Sequence, residues 1–202
     1  MIRTLILAVL AGAALSPAAV MADTAAQVKD CEGCHGNDGL SEWSDVPTIA
    51  GISAGVHADY LLSYKDKSRP CAKSKYRQGD TKRPETDMCS ATAKLSEADI
   101  EALAAHFSAK PFKAAKQTVD AAKAAAGKTI HARDCEKCHE GNGRKADADA
   151  SILAGQWMPY LTTEMNAFVA GKRPQPKKMA EKMKGLKPAD IEALAHFYGS
   201  QP

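Results

Sequence analysis

Aromatic side chains make up only 5% of this sequence. That is thin for a chain of this length, and it points to something other than side chains at the centre of its core or cores. Beyond the first two dozen residues, no apolar run approaches the length needed to span a bilayer, which argues against stable membrane insertion. No segment alternates polar and apolar residues in the manner of a half-buried strand, so a sheet-based fold is excluded. Net charge is modest too: 27 Lys and Arg stand against 24 Asp and Glu. That is too near balance for a nucleic-acid binder.

The one long apolar run lies at the start. Residues 1–22, "MIRTLILAVLAGAALSPAAVMA", carry a single basic residue, Arg3, then apolar residues to about Leu15 and a small-residue site at Val20 and Ala22. This is the pattern of a secretory signal peptide cleaved near Ala22. It predicts a periplasmic chain starting near Asp23, and an oxidising compartment in which thiols pair.

What the sequence does contain is a repeat. "CEGCH" at 31–35 recurs as "CEKCH" at 135–139, an offset of 104. The same offset carries "IAG" (49–51) onto "LAG" (153–155) and "RP" (69–70) onto "RP" (173–174). "ADIEALA" at 98–104 then matches 189–195 at an offset of 91, so the first copy holds thirteen extra residues between its RP and its ADIEALA. A unit of this size is too long for a solenoid repeat and suits a small domain. Two domains are expected, over 23–110 and 111–202, with "SAKPFKAAKQTVD" as the connection. Each should be all-α. Amphipathic stretches precede the Cys pairs and follow the AG turns, and "LSEADIEALAAHF" and "LKPADIEALAHFY" begin with helix-start signals.

C-x-x-C-H is the attachment signature of c-type haem: two thiols add to the vinyl groups and the following His reaches the iron. Zinc ribbons place their pairs far closer together, and a redox C-x-x-C needs a strand context that is missing. The motifs therefore predict two covalently bound haem c groups, on Cys31, Cys34 and His35, and on Cys135, Cys138 and His139. A porphyrin in each core also accounts for the scarcity of aromatics. Met is the usual second axial ligand of electron carriers. The offset of 91 maps Met88 onto Met179, each eleven residues before the Asp of ADIEALA, which selects the pairs His35–Met88 and His139–Met179. Met183 is the rival in the second copy, while Met158 and Met165 read as core. His57, His106, His131 and His196 do not recur at the repeat offset and read as surface or internally satisfied residues. Two six-coordinate irons leave no vacancy for a substrate, which points to outer-sphere electron transfer rather than catalysis.

With both haem motifs, both methionines and the duplicated AG…RP…M…ADIEALA frame, the chain resembles the dihaem cytochrome c4 family. Its second half, "CEKCHEGNG…ILAGQWMPYLTTEMNAF…KRPQPKKMAEKM", is most similar to the cytochrome subunit of flavocytochrome c sulfide dehydrogenase. The resemblance implies two tandem class I-like cytochrome c domains related by pseudo-twofold symmetry. It also implies a flavoprotein (FAD) sulfide dehydrogenase partner that delivers electrons to the haems, and a soluble cytochrome or terminal oxidase as acceptor. A free-standing cytochrome c4-type carrier between a quinol-oxidising complex and a terminal oxidase would use the same ligands. A third reading, a catalytic haem protein with Cys ligation, rests on Cys89 standing beside Met88. The basic run "GKRPQPKKMAEKMKGLKP" reads either as a solvated face or as a surface that steers an acidic partner.

The extra residues of the first copy fall in "RPCAKSKYRQGDTKRPETDMCSATAKLS" (69–96). In an oxidising compartment Cys71 and Cys89 are expected to form a disulfide closing a loop of about 19 residues, worth roughly 3 kcal/mol in chain entropy. Its predicted role is to pin a long ligand loop so that Met88 stays on the iron.

Overall fold

The computed structural model describes residues 17–145 and 150–202. The leader expected over 1–22 lies outside these residues, apart from its last six. Among the described residues the secondary structure is helical apart from isolated bridge residues, among them the antiparallel pair Ser74 and Thr86. No helix there is long and apolar enough to cross a membrane.

The first copy comprises α1 (Pro17–His35), a 3-10 turn (Asn37–Gly39), α2 (Ala54–Lys65), α3 (Met88–Thr92) and α4 (Glu97–Ser108). The second comprises α5 (Ala121–Asp134), α6 (Glu140–Gly143), α7 (Met158–Val169), α8 (Lys177–Met183) and α9 (Pro188–Gly199). The offset of 104 carries α2 onto α7 residue for residue, and the offset of 91 carries α4 onto α9. Local signals set these boundaries. Ser96 Oγ accepts from Asp99 N at 3.1 Å while Asp99 Oδ2 accepts from Ser96 N at 2.7 Å, a reciprocal cap that starts α4. Pro188 starts α9, where its missing N–H is not needed. Asp120 caps α5 by accepting from Lys123 N at 3.0 Å.

Each copy packs its last helix against its first and against the helix after the AG turn. Val28, Leu103 and Phe107 form one core cluster; Ile130, Leu161, Leu194, Phe197 and Tyr198 form the other. Leu103 and Leu194, and Phe107 and Tyr198, are repeat equivalents. So are the turns: Gly39 O accepts from Ile49 N and Ala50 N at 2.8 and 3.2 Å, and Gly143 O accepts from Leu153 N and Ala154 N at 2.8 and 3.0 Å.

The copies meet along the connecting segment. Gly51 and Gly155 both adopt φ 73°, and a Cβ on either would stand within 3.1 Å of Phe112. One aromatic residue of the connection thus packs against both AG turns, which explains why each turn ends in glycine. Across the contact, Gln156 Oε1 accepts from Thr48 N at 3.1 Å and its Nε2 donates to Thr48 O at 2.6 Å. Trp157 Nε1 donates to Ser41 O at 2.9 Å, and Tyr160 N to Ser44 O at 3.1 Å.

Candidate haem-binding sites

The first C-x-x-C-H motif is the last turn of α1, with His35 its final residue. His35 is 8% exposed, and its Nδ1 donates to the Pro47 carbonyl at 3.0 Å. That bond fixes the tautomer and leaves the ring's lone pair on Nε2. Burial pushes the imidazole down to about 4, so the ring is neutral, as a metal ligand must be. In the second copy α5 stops at Asp134 and the motif is a turn, in which Cys138 N and His139 N both donate to Cys135 O at 3.1 and 2.9 Å. Burial lowers His139 as well. Among the described residues its buried Nδ1 has no partner. Ser151 stands where Pro47 stands in the first copy, and its carbonyl does not take up the role.

The four motif thiols are free, paired neither with each other nor with Cys71 or Cys89. Burial pushes Cys31 up to about 12 and raises Cys34 and Cys135. A buried and a half-buried imidazole next to unpaired thiols, with one buried ring nitrogen left orphaned, are a donor set that fits a covalently attached haem. Met88 opens α3 and Met179 lies in α8, both half-buried. Met183 is buried at 7% exposure. Lys182 of α8 reaches Asp134 at 3.1 Å, which sets α8 beside the second motif.

Cys71 and Cys89 form a disulfide, with Cα atoms 5.8 Å apart. Cys89 therefore offers no thiolate. The middle of the strap between them, around Tyr76, folds back over α1, while residues 79–85 are exposed. Arg77 N and Gln78 N donate to Gly33 O at 2.8 and 3.2 Å, and Cys34 Sγ lies 3.5 Å from Lys75 O. The Arg77 guanidinium grips Asp45 with two bonds of 2.8 and 2.6 Å, while Arg83 reaches Asp30 at 2.5 Å and stacks over Tyr76, 3.8 Å from the ring centroid. The two motifs consequently differ in exposure. Glu32, Gly33 and His35 are buried, whereas Lys137 and Cys138 are exposed.

A buried polar cluster ties the copies together. Arg69 Nη2 donates to Glu164 Oε2 at 2.8 Å and to Tyr160 Oη at 3.3 Å, and Arg173 Nη1 also donates to Glu164 Oε2. Tyr60 lies between the guanidiniums, 4.9 Å from each. Arg69 and Arg173 are repeat equivalents, so one carboxylate holds both. The "RP" pairs were legible as register marks but not as interface chemistry. The remaining histidines are mostly satisfied internally: His57 binds Ile49 O at 2.7 Å, His131 lies between Tyr198 and Glu136, and His196 accepts from Asp120 N at 3.1 Å. The buried Nε2 of His106 has no partner among the described residues.

The family described as "Cytochrome c" matches this chain twice, over residues 20–108 and 124–201. The chain belongs to the cytochrome c family. Cytochrome c4 from Acidithiobacillus ferrooxidans is 26% identical, with a TM-score of 0.70 over 85% of this chain and 99% of that one. Reduced recombinant cytochrome c4 from Pseudomonas stutzeri is also 26% identical, with a TM-score of 0.72 over 90% and 98%. The thiosulfate dehydrogenase electron acceptor of Stutzerimonas stutzeri (strain A1501) is 25% identical over 84% of this chain and 78% of its own length. Thiosulfate dehydrogenase (TsdBA) from Marichromatium purpuratum is matched at 26% identity and a TM-score of 0.66, over 85% of this chain but only 36% of that one. The protein is thus a dihaem cytochrome c of cytochrome c4 type: all-α, with two tandem domains, two covalent haem c groups and an electron-transfer role.

Proposed function

We propose that this cytochrome is the periplasmic electron acceptor of a dehydrogenase that oxidises an inorganic sulfur compound, and that it passes electrons on to a soluble cytochrome or terminal oxidase. The observation that carries the reading is the pair of equivalent sites, each with a C-x-x-C-H imidazole, buried in the first and half-buried in the second, and a repeat-matched methionine. Iron held this way would have no coordination position for a substrate, so catalysis would belong to a partner. Residues 1–22 would be a signal peptide, and the domains would span 23–110 and 111–202.

In each copy the motif cysteines, Cys31 with Cys34 and Cys135 with Cys138, would hold the haem by thioether bonds. His35 and His139, with Met88 and Met179, would ligate the iron. The bound groups supply one-electron ferric–ferrous cycling. The chain contributes the rest. Pro47 O orients the His35 ring, the Cys71–Cys89 strap fixes the start of α3 beside Met88, and the Arg69–Glu164–Arg173 cluster holds one copy against the other.

The second-copy likeness to the cytochrome subunit of flavocytochrome c sulfide dehydrogenase supports a flavoprotein (FAD) donor and sulfide as substrate. The name of the Stutzerimonas relative supports thiosulfate instead. A second reading is a free cytochrome c4-type carrier fed by a quinol-oxidising complex. It draws on the nearly complete coverage of the two cytochrome c4 chains. The disulfide at Cys89 disfavours the Cys-ligated catalytic alternative.

The test is stopped-flow reduction of the ferric protein by three donors: a sulfide-dehydrogenase flavoprotein with sulfide, a thiosulfate dehydrogenase with thiosulfate, and a quinol-oxidising complex with quinol. Fast, saturable reduction by either sulfur enzyme is expected. Reduction by the quinol-oxidising complex alone would overturn the proposal in favour of the free carrier.

A further inference from the structure

We propose that Gln156, a residue of the second copy, sets the reduction potential of the first haem through the peptide that orients His35. The inference rests on the reading that His35 ligates that haem.

The Pro47 carbonyl that accepts from His35 Nδ1 at 3.0 Å belongs to the same amide as the Thr48 N–H. That N–H donates to Gln156 Oε1 at 3.1 Å. An unbroken hydrogen-bond chain therefore runs from the imidazole, through one peptide group, into the other domain. Its parts are buried: His35 is 8% exposed, Thr48 3% and Gln156 2%. Gln156 Nε2 also donates to Thr48 O at 2.6 Å, so only one orientation of the side-chain amide satisfies both bonds. Gln117 of the connection holds the Gln156 backbone in place by donating to its carbonyl at 2.8 Å and accepting from Met158 N at 2.9 Å.

An amide whose N–H is engaged is a stronger acceptor at its oxygen, because each bond polarises the next. A stronger acceptor on Nδ1–H makes the imidazole a better electron donor to the metal and favours the ferric state. Gln156 thus holds the first haem's potential down. Among the described residues the second copy shows no such device. The offset of 104 puts the apolar Ile52 opposite Gln156 and Ser151 opposite Pro47. Among the described residues His139 Nδ1 has no acceptor. The asymmetry gives the first haem the lower potential of the two, so that an electron entering there moves on to the second. The chain also makes the first potential responsive to domain contact, since half of it belongs to each copy. Gln156 is a positioning residue: it touches neither ligand and acts through Thr48 and Pro47.

The test is a potentiometric titration of holoprotein Gln156→Met, with haem-methyl resonances assigning each step to its copy. The first haem's ferrous-to-ferric ratio at fixed potential should rise by on the order of three- to tenfold, and the second's should stay put. In the ferrous protein the His35 Nδ1–H resonance should move upfield. Gln156→Glu keeps an acceptor for Thr48 N–H and should leave that resonance at or downfield of its wild-type position, and it replaces the Met variant should that fail to fold. Trp157→Phe removes another bond between the same loop and the second copy, and should leave both potentials unchanged. The inference is overturned if Gln156→Met leaves the first potential unmoved, or if Trp157→Phe shifts it equally. Failure of the underlying reading looks different: His35 ring protons would then lack the large haem-induced shifts of an axial ligand in wild type.

Discussion

Tyr76 packs so closely on Gly33 that a Cβ on the glycine would stand 2.8 Å from the Tyr76 Cδ1. The equivalent position in the second copy is Lys137, exposed and uncovered. The single difference between "CEGCH" and "CEKCH" therefore follows from the strap. Where thirteen extra residues fold back over the motif, only a residue without a side chain fits beneath them. Gly33→Lys, which copies the second motif into the first, should lift the strap and leave haem attachment intact. Limited proteolysis should then cut between residues 74 and 83 at least tenfold faster, a shift of about 1.4 kcal/mol in the docking equilibrium. Unchanged cleavage would mean the strap is not held at Gly33.

The disulfide at the base of the strap has a separate consequence. Cys89 is the second residue of α3 and follows Met88 directly. Replacing Cys71 and Cys89 by Ser removes the constraint on a loop of about 19 residues and should cost roughly 3 kcal/mol. The methionine–iron charge-transfer band of one haem, and only one, should then disappear at lower denaturant than in wild type. Loss of both bands together would show that the disulfide acts on the whole molecule rather than on Met88.

Glu164 holds two guanidiniums at once, and Arg69 and Arg173 have side chains only 3% and 6% exposed. Glu164→Gln leaves two buried like charges beside each other without their counter-ion, so the loss should reach about 3–5 kcal/mol. Denaturation by urea, followed separately at each haem, should split into two transitions as the copies lose their mutual support. A single transition at the wild-type midpoint would contradict a structural role for the cluster.

The strap should also respond to acid. The Arg77 guanidinium beside Asp45 holds its carboxyl below the usual carboxylate range. An acid depressed in the folded state contributes in full above its unfolded value of about 3.9, and the contribution fades as pH falls through the folded value. Protection of the Arg77 and Gln78 amides, both bonded to Gly33 O, should hold from neutrality to about pH 4.5 and decline below about pH 4. Hydrogen exchange across that range measures it. Protection already fading near pH 6 would assign the docking to some other group.

Much of the architecture was legible in the sequence because a duplication writes the same instructions twice. The offsets of 104 and 91 that align "CEGCH" and "ADIEALA" also align α2 with α7 and α4 with α9. The helix starts followed from Ser96, Asp99 and Pro188, whose effects are local. What escaped was whatever depended on contact between distant segments. Gln156 and Ile52 looked like unremarkable residues after an AG turn. Nothing local shows that the former meets Thr48, 108 positions away. Glu164 likewise differs from its counterpart Tyr60, but only the packing of one copy on the other puts both guanidiniums around it. The strap reads as a polar surface loop, since Arg83 and Arg77 find their acidic partners, Asp30 and Asp45, on α1 and the loop after it.

Closed, six-coordinate haem sites are the premise on which electron transfer, rather than catalysis, rests. A potentiometric titration of the purified holoprotein, run with and without carbon monoxide, tests that premise most directly. Two one-electron steps unaffected by the gas are predicted, with a methionine–iron band at each haem in the ferric state. Binding of carbon monoxide to either ferrous haem at neutral pH, or absence of one methionine band, would contradict the account and place an open or differently ligated iron in the molecule.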